Sequence, residues 1–81
     1  MFMVRIRLRR SGAKKRPYYR IIAIDSREKR DGGYIDSLGY YAPLEKKLFV
    51  DLEKYNLWLS RGAQPSNTVL KVVKRYQETK L

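Results

Sequence analysis

Arginines occupy positions 5, 7 and 9, and Val4, Ile6 and Leu8 alternate with them. On a β-strand, successive side chains point to opposite faces. One face of this segment is therefore apolar and the other is a row of guanidinium groups, each a rigid fork of donors matched to phosphate oxygens. A turn-rich segment follows, with Arg10, Ser11, Gly12, Lys14, Lys15 and Arg16 ahead of Pro17. Tyr18 opens a second apolar run that carries Arg20, and a later polar loop adds Arg27, Lys29 and Arg30. The chemistry these residues offer is charge-assisted hydrogen bonding to a polyanion. Ser11, Gly12 and Lys14 have the small and basic character of a phosphate-cradling loop, but the glycine spacing of a nucleotide-binding motif is absent.

The distribution of charge sharpens this reading. Residues 1–30 hold eleven of the nineteen Lys and Arg against only Asp25 and Glu28, a surplus of nine out of a total of +11. Ordinary surfaces intersperse both signs. A surplus this polarised fits nucleic acid or another anionic surface. The five tyrosines Tyr18, Tyr19, Tyr34, Tyr40 and Tyr41 fall in strand-like runs, where aromatic rings can stack on exposed bases. Alternation forces adjacent tyrosines to opposite faces, so about half of them belong to the core.

Other chemistries have less support. The chain has neither cysteine nor histidine, which removes disulfides, thiolate zinc sites and the commonest general base. Asp25 or Asp31 could serve a magnesium-dependent nuclease, but the carboxylates are scattered at turn and cap positions with local structural duties. No apolar run approaches the ~20 residues of a membrane span. Arginines interrupt the N-terminal apolar stretch where a secretory signal would not tolerate them, so a soluble intracellular chain is expected.

These side chains must be positioned by a small scaffold. At 81 residues the chain has room for one domain, spanning 1–81. Strands are expected at residues 2–9, 18–25, 34–41 and 48–50. The second, YYRIIAID, is nearly continuous in apolar residues and suits a central strand covered on both faces. Gly39 marks a bulge or a close backbone approach, and Pro43 ends its strand. The period then changes. Asp51 is an N-cap for a helix from Leu52 to about Arg61, with Leu52, Tyr55, Trp58 and Leu59 inward and Gly62 just past its end. Ser66 or Asn67 caps a second helix to about Gln77, with Val69, Val72, Val73 and Tyr76 inward. A helix-turn-helix is rejected, because the first turn of the second helix carries no cation. The expected fold is α+β: a two-layer sandwich of a mainly antiparallel four- to five-stranded sheet with two C-terminal helices on one face.

VRIRLRRSGA over residues 4–13 resembles the opening signature of a known family, the bacterial-type small-subunit ribosomal protein numbered sixteen. The resemblance continues in KKRPYY at 14–19, in Asp25, Ser26 and Arg27 with Arg30, Asp31 and Gly32, and in LGYY at 38–41 with Pro43. Trp58 and Leu59 with GAQP at 62–65 complete it, so nearly the whole chain is covered in order. Arg9 stands where the family usually has a small residue or lysine. Met1 and Phe2 extend the usual start, which leaves Met3 as an alternative initiator.

The resemblance implies a structural constituent of the small ribosomal subunit that binds the five-prime domain of its RNA and aids folding and assembly, with no catalysis and no cofactor or metal. Its implied partners are small-subunit ribosomal RNA and neighbouring small-subunit ribosomal proteins, without membrane or self-association. Its place is the ribosome of a bacterium or of an organelle. A-form RNA hides its base edges, so contacts should rest on shape, phosphates and 2′-hydroxyls. A DNA-binding architectural protein is the alternative among polyanion binders. The loop with Lys14, Lys15 and Arg16 is expected to become ordered between RNA helices.

Overall fold

The computed structural model describes residues 3–12, 15, 17–27 and 33–79. Five strands form one sheet: β1 (Val4–Ser11), β2 (Tyr18–Asp25), β3 (Asp36–Ala42), β4 (Lys47–Val50) and β5 (Gln64–Pro65). Their order is β4-β3-β2-β1-β5. Every neighbouring pair is antiparallel except β1 and β5, where Arg5 and Ile6 run parallel to Gln64 and Pro65. Two helices follow the fourth strand, α1 (Leu52–Ser60) and α2 (Asn67–Thr79). The arrangement is the expected α+β fold.

β2 lies in the middle because its residues tolerate burial on both sides. Ile21, Ile22, Ala23 and Ile24 are all fully excluded from solvent. Of these, Ile21 joins the core under the helices, with Ile6, Leu38, Val50, Tyr55, Ala63, Val69, Val72, Val73 and Tyr76. The alternation of β1 therefore delivers Ile6 to the helices, with Val4 and Leu8 packed beside it. The stripe Val69, Val72, Val73 and Tyr76 on α2 is buried as its spacing requires.

Local chemistry sets the element ends. The Asp51 carboxylate accepts the Lys54 N–H at 3.2 Å and opens α1. Gly62, at φ 92°, reverses the chain beyond it. The Ser66 hydroxyl accepts the Val69 N–H at 3.2 Å, so Ser66 is the cap of α2. The Ser66 N–H also donates to the Ile6 carbonyl at 2.9 Å, tying the start of α2 to β1. Between β2 and β3 the register shifts at Ile21 and Ile22, leaving Leu38 as the extra residue. Next to it, Gly39 faces Val50 across the β3–β4 ladder. A Cβ there would collide with the Phe49 carbonyl and lie 3.0 Å from the Val50 Cα. Glycine stands here because the two backbones approach closely.

The structure departs from the sequence reading at four places. β1 continues to Ser11, so Arg10 and Ser11 belong to the strand, not to the loop. β3 begins at Asp36, leaving Tyr34 and Ile35 as a lead-in whose Ile35 N–H donates to the Ala23 carbonyl. β5 is the fifth strand that the expected four- to five-stranded sheet allows, at a position the sequence pattern does not locate. Trp58 is half-buried, not enclosed, and Leu59 is exposed. Trp58 keeps an exposed edge because its indole N–H donates to the Asp36 carboxylate at 3.1 Å, at the rim between α1 and β3.

Candidate nucleic-acid interface

With the helices on one face of the sheet, the register decides what the other face carries. Arg9 stands opposite Arg20, Arg7 opposite Ile22 and Arg5 opposite Ile24. Ile6, Leu8 and Ile21 occupy the intervening positions and face the helices. Arg5, Arg7, Arg9 and Arg20 therefore project together from the open face. Ile22 and Ile24 share that face and are fully buried, flanked in register by the aliphatic stems of Arg7 and Arg5. The rigid sheet fixes the backbone of every guanidinium in this group, which lowers the entropy lost when an anion is bound.

The same register sorts the aromatic residues. Arg20 pairs with Tyr40 and Tyr19 with Tyr41. Tyr18 and Tyr40 lie on the open face, whereas Tyr19 and Tyr41 lie on the helix face. Tyr18 and Tyr40 are diagonal neighbours whose rings stack at 5.9 Å and 15°. Phe49 on β4 adds a third ring 6.0 Å from Tyr40, and Tyr76 meets Phe49 edge-on at 6.1 Å around the sheet edge. Tyr34, in the lead-in to β3, places its ring 5.9 Å from the Arg9 guanidinium carbon, within cation–π range.

The remaining candidates are spread around this face. Arg10, opposite Tyr19, is directed to the helix side of the strand end and is exposed. Ser11 closes β1 opposite Tyr18, and Gly12, at φ 85°, turns the chain away from the strand. Lys15 is exposed in the connection between β1 and β2. Arg27 is exposed and engages Asp25, its Nη2 donating to Oδ2 at 3.1 Å and its backbone N–H to Oδ1 at 2.9 Å. These hydrogen bonds hold the Asp25 carboxyl below the usual carboxylate value. Asp25, considered for metal chemistry from the sequence, is thus the partner of an arginine. Lys14, Arg16, Lys29, Arg30 and Asp31 lie outside the described residues.

The sequence pattern puts the β1 arginines on one face and singles out Tyr40 among the strand aromatics, but it does not single out Phe49. Tyr40 is in phase with Arg20, whereas Phe49 reaches the same face only through the register of β4. Phe49 was hidden by the shortness of β4, four residues long.

Asp36 is the fixed point that joins the sheet to α1. It accepts from the Trp58 indole at 3.1 Å, the Lys54 ammonium at 3.3 Å and the Ser37 N–H at 2.9 Å. Partial burial pushes its carboxyl up, but the Trp58, Lys54 and Ser37 donors outweigh this and leave it below its ordinary value. The Arg61 guanidinium covers the Trp58 ring at 5.4 Å. Among the described residues, no helix is long and apolar enough to cross a membrane.

The family model for ribosomal protein S16 matches residues 10–66. The chain belongs to the ribosomal protein S16 family. Among its relatives is a protein of Caldanaerobacter subterraneus subsp. tengcongensis, 59% identical over 68 residues, covering 82% of this chain and 83% of the relative. A Thermotoga neapolitana protein is 53% identical over 75 residues, covering 91% and 79%. A Psychrobacter protein is 49% identical over 81 residues, covering 95% and 93%. Each of these S16 relatives is described as small ribosomal subunit protein bS16.

Proposed function

We propose that the chain is a structural constituent of the small ribosomal subunit, and that it binds the five-prime domain of the small-subunit ribosomal RNA to stabilise its folding during assembly. The observation that carries this is the joint projection of Arg5, Arg7, Arg9 and Arg20 from the sheet face opposite the helices. Backbones of neighbouring RNA helices repel one another, and a rigid row of cations between them offsets that repulsion. Arg10, Ser11, Gly12, Lys15 and Tyr18 extend the contact around the Ser11–Tyr18 end of the β1–β2 pair, and Arg27 lies beyond its other end, next to Asp25. Lys14, Arg16, Lys29 and Arg30 complete the candidate set. The role is architectural and needs no cofactor. The domain acts as one unit, placed in the ribosome beside RNA and other small-subunit proteins.

Hydroxyl-radical footprinting on small-subunit ribosomal RNA tests the reading. Protection is expected within the five-prime domain, over backbone riboses from more than one helix, and it should weaken when Arg5, Arg7 and Arg20 are changed to Gln. Protection confined to another domain, or unchanged by those substitutions, would overturn it.

A further inference from the structure

The sheet carries two aromatic pairs back to back, and only one of them serves the core. Tyr19 and Tyr41, 6.2 Å apart at 26°, lie on the helix side. There Tyr41 packs against the core and its hydroxyl accepts from Arg75 Nη1 at 3.3 Å. Tyr18 and Tyr40 have nearly the same spacing, 5.9 Å at 15°, but face away from both helices. Phe49 extends this second pair by one ring and is 43% exposed. Strand propensity accounts for aromatic residues in a sheet. It gives no reason for the Tyr18 and Tyr40 pair on the face that carries the arginines, which Phe49, itself edge-on to Tyr76 of α2, prolongs to three rings.

The position of Arg20 supplies one. It stands directly opposite Tyr40 on one side and Arg9 on the other. An aromatic surface beside a pair of cations matches the two halves of a nucleotide, a base with an exposed π-face and a phosphate. A base inside an A-form helix is stacked on its neighbours and cannot present that face. An unpaired base can, and stacking on aromatic side chains holds it without regard to sequence. Resting on the RNA-binding reading above, we propose that Tyr18, Tyr40 and Phe49 form a stacking site for an unpaired RNA nucleotide, with Arg20 and Arg9 receiving its phosphate.

The test compares the full chain with Tyr40→Leu and Tyr40→Phe. Each is titrated with single-stranded oligouridylate and with an RNA duplex carrying the same number of phosphates, at low and at high potassium chloride. Tyr40→Leu should weaken the single strand by about tenfold, the order expected for one lost stacking contact, and the deficit should persist at high salt. Tyr40→Phe keeps the ring and should bind as the parent does. A Tyr40→Leu loss that is equal on both RNAs, or absent on both, overturns the proposal. So does a Tyr40→Phe loss as large as that of Tyr40→Leu, which would assign the effect to the hydroxyl. Thermal melting checks that each variant folds, and Phe49→Leu is the second route should Tyr40→Leu unfold. Steep salt-dependent duplex binding with no stacking effect would leave the ribosomal reading standing while removing this one. Failure to bind either RNA would remove the reading itself.

Discussion

Arg9 and Arg20 stand directly opposite each other across β1 and β2, on the sheet face away from the helices. Like charges placed directly opposite in a sheet are destabilising. The chain keeps both, which is intelligible if an anion sits between them in the bound state. Arg20→Gln should therefore raise the melting temperature of the free protein at low salt and narrow its dependence on added salt. The same variant should bind RNA more weakly, with a log–log salt slope shallower by about 0.7 to 0.9 for one lost phosphate contact. A lower melting temperature at low salt would show that the pair is not repulsive.

Neighbouring residues on β1 should separate stability from binding. Ile6 is fully buried under the helices, whereas Arg7 is exposed on the open face. Ile6→Ala is expected to cost about 2–5 kcal/mol of stability, with RNA affinity falling only as the folded fraction falls. Arg7→Gln should weaken binding and leave urea denaturation unchanged. An Ile6→Ala protein that stays fully folded with normal stability would contradict the assignment of faces.

Much of this arrangement is legible in the sequence, and the reasons differ by element. The run of Ile21 to Ile24 with its tyrosine start locates β2 to the residue, because from Tyr18 to Ile24 only Arg20 interrupts the apolar and aromatic run. Asp51 and Gly39 are equally legible, since a cap and a close backbone approach each demand particular residue types. β5 is not legible: two residues show no period, and its pairing with Arg5 and Ile6 is decided by the chain path after α1. Trp58 is legible in part. It packs against the core as its helical spacing indicates, but its indole N–H has a partner in Asp36, 22 positions earlier, which holds its edge at the rim. For the site, parity alone separates Tyr18 and Tyr40 from Tyr19 and Tyr41. Continuing the open face to Phe49 needs the register of β4, which local sequence does not contain.

The Asp36 carboxylate should make stability depend on acid pH. Its folded value lies below the ordinary 3.8, so its stabilisation is present in full above that value and is lost as the pH falls through the lower, folded one. Asp36→Ala removes the acceptor of the Trp58 indole and should cost about 1–3 kcal/mol near neutral pH. The gap between the two proteins should shrink in acid, because the parent's carboxyl is then protonated and its charge-dependent stabilisation is lost. Urea unfolding across that range measures it, and a gap independent of pH would refute the role given to the ionised form.

Gly39→Ala tests the close approach of β3 and β4. The added methyl meets the Phe49 carbonyl and the Val50 Cα, both backbone, so the strand must move. A loss of about 1–3 kcal/mol is expected, as for other overpacked sites. Amide exchange should accelerate first in β4. Unchanged protection of Val50 and Phe49 would mean that the contact is relieved without displacement.

The account rests above all on the arginine row of the open face meeting phosphates, and the salt dependence of RNA affinity measures that most directly. Binding to five-prime-domain RNA should fall linearly on log–log axes as potassium chloride rises. Changing Arg5, Arg7 and Arg20 together to Gln should make the slope shallower by roughly 2 to 3, from about 0.7 to 0.9 per lost contact. The same slope in the parent and the triple variant would contradict it.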